Sequence, residues 1–155
     1  PSYSLTVKSA DGALTFSQPF TVNVTNANDA PTGSVTITGT ATQGQTLTTS
    51  NTLADADGLG TISYQWFADG NAISGATSST LLLAQAQVGK AITVTASYTD
   101  GGSTAESVTS GATAAVTNTN DAPTGNVTIS GTATQGQTLT ASNTLADADG
   151  LGTIS

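Results

Sequence analysis

The sequence predicts an all-β chain of tandem antiparallel sandwiches, and three of its features carry that prediction. Apolar residues recur at every second position, a block of 36 residues returns almost unchanged 92 positions later, and Asp-Gly pairs punctuate the alternating stretches. Period two marks a strand with one covered face. Asp-Gly supplies the backbone that tight hairpin turns need.

The elements follow in order. Residues 1–27 alternate through SYSLTVKSADG and LTFSQPFTVNV, with Val22 and Val24 in phase, as the last strand pair of a preceding unit would. Strands are then expected near 34–39, 45–53, 61–68, 71–74, 79–84, 91–99 and 104–117. Alternation is clearest at Val35/Ile37, Ile62/Tyr64/Trp66 and Ile92/Val94/Ala96/Tyr98. Turn pairs stand at Asp11-Gly12, Asp57-Gly58, Asp69-Gly70 and Asp100-Gly101. Thr makes up about a fifth of the chain and, with Val and Ile, favours pleated backbone. Seven short strands in about ninety residues suggest two packed antiparallel sheets. Trp66 is the expected core anchor, and Tyr98 a packing residue with its hydroxyl at the edge.

The repeat sets the domain frame. Residues 28–63 and 120–155 differ only at Ser34/Asn126, Thr38/Ser130 and Thr49/Ala141. A period of 92 residues is domain-sized rather than solenoid-sized, so each unit can own a core. The expected partition is 1–27 as the end of one unit, 28–119 as a complete unit, and 120–155 as the beginning of the next, within a longer array.

Composition removes several functions. The chain carries 2 Lys+Arg against 10 Asp+Glu, a net charge of −8, with no His and no Cys. Phosphate binding depends on clustered Lys and Arg, so a nucleic-acid partner is excluded. Without imidazole or thiol there is no conventional general base, thiol nucleophile or zinc site. The longest apolar run is Leu81-Leu82-Leu83-Ala84, so no membrane insertion is expected of this segment. Paired carboxylates can hydrolyse glycosides, but they need an aromatic-lined cleft that one Trp does not provide; no enzyme is expected. The Thr-x-Thr runs are explained by strand propensity, and the Asn-x-Thr triplets at Asn23 and Asn126 are read as incidental strand residues.

Oxygen-binding cations are the chemistry left open. Nine of the ten acids are Asp, and six of these fall in two recurring motifs, Asn-Asp-Ala-Pro and Leu-Ala-Asp-Ala-Asp-Gly. Short carboxylates on loops suit calcium, which takes roughly six to eight oxygens. In a seven-stranded sandwich the incoming linker, the loop after the second strand and the last hairpin turn share one pole. The candidate ligands for Ca2+ are therefore Asn28, Asp29, Asp55, Asp57 and Asp100, and in the second copy Asn120, Asp121, Asp147 and Asp149. The alternative is that both motifs are turn and linker punctuation, with Asp accepting main-chain N–H bonds and Pro31 stiffening the junction.

The stretch YQWFADGNAISGATSSTLLL, followed by VGKAITVTASYTDGGSTAES, resembles the bacterial immunoglobulin-like repeats of giant surface adhesins and related repeats-in-toxin proteins. Residues 1–27, running into Asn26-Ala27-Asn28-Asp29-Ala30, look more like the end of a cadherin-like repeat. The resemblance implies tandem immunoglobulin-like sandwiches in a secreted or surface-attached array, used for adhesion or biofilm formation. Cadherin-type linkers carry Asp-x-Asn-Asp-Asn, and both linkers here lack a carboxylate and an amide of that pattern; one or two ions per junction are expected rather than three. The leading function is a spacer whose partners are the neighbouring repeats, with the adhesion target elsewhere. Two others stand beside it: a structural filament formed by lateral self-association, and a carbohydrate- or protein-binding module.

Overall fold

The computed structural model describes residues 2–153. Pro1, Ile154 and Ser155, at the outer ends of the units expected at 1–27 and 120–155, lie outside the described residues. Strands form where β-branched and aromatic residues alternate, and the chain is an all-β antiparallel structure. In chain order these are β1 (Ser2–Asp11), β2 (Leu14–Asn23), β3 (Val35–Thr38), β4 (Thr46–Asn51), β5 (Ser63–Ala68), β6 (Asn71–Ala72), β7 (Thr80–Leu82), β8 (Ile92–Thr99), β9 (Ala105–Thr109), β10 (Val127–Ser130) and β11 (Thr140–Asn143). A 3-10 turn at Gln85–Gln87 follows β7; it is closed by the Gln87 side chain, whose oxygen accepts from Ala84 N–H at 3.0 Å.

The central sandwich packs a three-stranded sheet, in the order β3-β4-β7, on a four-stranded sheet, in the order β6-β5-β8-β9. Alternation does the packing: Ile92, Val94, Ala96 and Tyr98 all point inward from β8 and are buried. They meet Val35, Leu47 and Leu81 of the facing sheet, and Leu83 just past β7, around Trp66, which is fully buried. Its indole N–H donates to Ser78 O at 2.8 Å, so burying the large ring leaves no orphaned donor. The Asp69-Gly70 pair closes β5 onto β6 with both residues at positive φ (47° and 77°), the backbone of a two-residue hairpin turn.

The long final strand expected at 104–117 is shorter than that. Regular pairing of β9 with β8 ends at Thr109, because side chains take over the main-chain donors of β8. Val94 N–H donates to the buried Ser110 Oγ at 3.1 Å, and Ile92 N–H to Thr113 Oγ1 at 3.1 Å. A hydroxyl that replaces a ladder carbonyl breaks the regular pattern. The segment then reaches the far pole, where Val116 and Thr117 make isolated parallel bridges to Val88 and Thr42.

Two hairpins flank the sandwich. In β1–β2, Tyr3 faces Val22, Leu5 faces Phe20 and Ser9 faces Phe16, which puts the apolar residues on one exposed face. In β10–β11, Val127 pairs with Asn143 and Ile129 with Ala141, the same register as Val35 with Asn51 and Ile37 with Thr49. Near-identical sequence gives identical pairing.

Candidate metal centre

Three segments meet at the pole where the linker enters the sandwich. The loop leaving β4 carries Asp55 and Asp57, the β8–β9 turn carries Asp100, and the linker supplies Asn26, Asn28 and Asp29. Tight main-chain approach fixes the first two. Gly101 N–H donates to Asp57 O at 3.1 Å, and a Cβ on Gly101 would lie 2.4 Å from that same oxygen. A Cβ on Gly60 would lie 2.0 Å from Thr99 O. Only glycine lets these backbones touch.

Each carboxylate is held by its own set of donors. Asp55 Oδ1 accepts Asp57 N–H at 2.8 Å, and Asp55 Oδ2 accepts the Tyr98 hydroxyl at 2.6 Å. Asp57 accepts Asp29 N–H at 2.6 Å and the side-chain amide of Asn26. Those two donors bind its ionised form, main-chain N–H first, and hold the Asp57 carboxyl below the usual range. Asp100 Oδ1 accepts Thr104 N–H at 2.6 Å. Its second oxygen is buried with no hydrogen-bond partner, in a side chain only 6% exposed.

Carboxylate oxygens of Asp55, Asp57 and Asp100 lie within 4.8 Å of one another. Unit charges about 4 Å apart repel by about 1 kcal/mol even in water, and by more where burial lowers the dielectric. Burial, the bond to Asp55, and the charges of Asp55, Glu106 and Asp100 push the Tyr98 hydroxyl up to about 12. Neither basic residue answers this charge: Lys8 lies within β1, and Lys90 follows the 3-10 turn at the opposite pole. A donor set made only of oxygen, with one buried oxygen unpaired, fits a hard divalent cation, and the cluster could hold a metal ion.

The predicted ligands take different roles here. Asp55, Asp57 and Asp100 converge. Asp29 enters through its main-chain N–H, and its own carboxylate stands outside the cluster and exposed. The Asn28 amide donates to Glu106 Oε1 at 2.7 Å. Two residues of the site were not among the predicted ligands: Asn26, whose signal is its place in the linker two residues before Asn28, and Glu106, which stands in β9 with no motif of its own.

The second junction repeats part of this arrangement. Asp149 accepts Asp121 N–H at 2.6 Å and the Asn118 amide at 2.8 Å, and Asp149 N–H donates to Asp147 Oδ1 at 2.9 Å. The Asn120 amide turns back to Asp121 O at 2.9 Å. Asp147 and Asp149 face no counterpart of Asp100 among the described residues. From the other side the preceding sandwich brings Gln43 to Asp121 and Gln85 to Ala148 O and Asp149, two residues that no motif singled out.

Comparison of the chain with protein-family models, curated proteins and solved structures finds no significant match.

Proposed function

We propose that the chain is a spacer segment of a long extracellular bacterial surface adhesin, stiffened by Ca2+ where one sandwich joins the next. The observation that carries this reading is the buried, unpartnered oxygen of Asp100 set beside Asp55 and Asp57 at the pole where the linker docks. Near-identical tandem copies supply reach rather than new specificity, which favours a stalk over a binding module. Calcium is favoured over magnesium because the ligands sit on loops, which suit calcium's variable coordination, whereas magnesium demands a tight octahedron and retains its waters.

Asp55, Asp57 and Asp100 would hold the ion, and the amides of Asn26 and Asn28 carry further oxygens at the same pole. Bound there, the ion supplies positive charge that reverses the mutual repulsion of the acids. The chain's own residues do the rest. The linker is tied to Asp57 through Asp29 N–H and the Asn26 amide, so a more rigid Asp57 means a more rigid linker. An acidic array with fixed junctions stands extended and resists proteases, and it carries an adhesive end away from the cell.

Thermal unfolding of the full chain in EDTA and in millimolar Ca2+ tests the reading. At a hundredfold excess over Kd, binding adds about 2.7 kcal/mol, and 1 kcal/mol moves Tm by about 4–8 °C in a domain of this size. A rise of that order that vanishes in Asp55→Asn/Asp57→Asn is expected. An unchanged Tm would remove calcium from the mechanism.

A further inference from the structure

Two uncharged side chains of the central sandwich reach across to the following copy. Gln43 lies in the turn between β3 and β4, and its own N–H is anchored to Thr117 O at 2.9 Å, so its side chain leaves a fixed base. Its amide is used at both ends: Nε2 donates to Asp121 Oδ2 at 2.7 Å, and Oε1 accepts Thr119 N–H at 3.1 Å. The Thr119 hydroxyl adds a bond to Gln43 O at 3.3 Å. Gln85, in the 3-10 turn, donates to Ala148 O at 3.3 Å and to Asp149 Oδ1 at 3.4 Å. Its Oε1 is buried without a partner.

We infer that Gln43 and Gln85 form a clasp by which one repeat orients the next, and that the surface they recognise is the Asn-Asp-Ala-Pro linker and Asp-Ala-Asp-Gly loop of a following copy. Each bond joins a protein donor to a protein acceptor, so the clasp holds without a cation. An amide suits the task better than a basic side chain. Gln43 must donate to a carboxylate and accept from a main-chain N–H at once, and Lys or Arg has no acceptor to offer. Asp149 is the point of convergence, taking donors from the preceding sandwich through Gln85, from the linker through Asn118, and from Asp121 N–H.

Two further features of the sequence agree. Gln43 recurs 92 positions later as Gln135, so the second copy carries the same half of a clasp to its own far pole. The linker residue that bonds to Gln43 is Thr119, whereas its counterpart in the first linker is Ala27, which has no hydroxyl. The partner is thus a following repeat of this type. The clasp's value as an orienting device rests on the spacer reading; its existence does not.

Pulsed electron–electron distance measurement on the full chain tests it. The protein has no Cys, so Ser74→Cys and Thr132→Cys place one spin label on each side of the junction at exposed positions. In EDTA a single narrow distance distribution is expected. Gln43→Ala/Gln85→Ala should broaden it at least twofold, and Gln43→Glu, which sets a second carboxylate against Asp121, should do the same. Trp66 fluorescence shows whether the sandwich stays folded in each variant. A broad distribution in the parent chain, or a narrow one that survives both variants, would overturn the clasp. The labels span the second junction, whereas the proposed Ca2+ ligands Asp55, Asp57 and Asp100 lie at the first, so the distances in EDTA judge the clasp alone and the Tm series with Asp55→Asn/Asp57→Asn judges the calcium reading alone.

Discussion

The two junctions carry the same Asn-x-Asn-Asp-Ala-Pro linker and the same Leu-Ala-Asp-Ala-Asp-Gly loop, and the described residues show each of them met by a different neighbour. The first has the β8–β9 turn of its own sandwich beneath it, which brings Asp100, Tyr98 and Glu106 to the loop. The second has the preceding sandwich above it, which brings Gln43 and Gln85. The shared core of each is small: a linker N–H and a linker amide on the second Asp of the loop. Convergence of charge therefore comes from the last hairpin of the same repeat, and orientation comes from the far pole of the one before. The motif alone is half of either.

The largest effect should come from removing a ligand. Asp100→Asn should weaken Ca2+ binding by at least tenfold, about 1.4 kcal/mol, in a calorimetric titration, whereas Asp147→Asn should leave that isotherm unchanged. Equal losses would erase the distinction between the junctions. Next comes a glycine pair. Gly60→Ala drives a Cβ to 2.0 Å from Thr99 O and should cost about 1–3 kcal/mol in chemical denaturation; Gly152→Ala, the same position of the repeat, meets nothing within 4 Å and should stay within about 0.5 kcal/mol. Tyr98→Phe removes the hydroxyl donor to Asp55 and should destabilise the ion-free protein by about 1 kcal/mol.

Acid should affect both junctions alike. Asp149, like Asp57, is held below the usual carboxylate range, first by a main-chain N–H and then by a linker amide. A depressed folded pKa stabilises the fold above the ordinary carboxylate value, about pH 4, and that contribution is lost as pH falls through the lower folded values. The side-chain amide resonances of Asn26 and Asn118 should therefore shift together below about pH 4. Separate titrations would show that the shared core is not shared.

Much of this was legible before any coordinates. Alternation located the strands, buried Trp66 and packed Tyr98 with its hydroxyl reaching Asp55, and the common pole of the β4 exit loop and β8–β9 turn brought Asp55, Asp57 and Asp100 together. What stayed hidden were contacts made by groups with no pattern of their own. Gln43 and Gln85 are uncharged, belong to no motif, and meet partners 63 to 78 residues away. Asp29 was legible as a junction acid, but not the fact that its N–H rather than its carboxylate faces Asp57. The early end of β9 was hidden for a related reason, since hydroxyls of Ser110 and Thr113 replaced ladder bonds that Thr and Ser propensity alone would continue.

The most direct test is a crystal of the full chain grown in Ca2+, with an anomalous difference map at the linker-side pole. One ordered peak about 2.3–2.6 Å from oxygens of Asp55, Asp57 and Asp100, including the second oxygen of Asp100, is the predicted result. A map with no peak there, and a water or a protein donor on that Asp100 oxygen instead, would contradict the account.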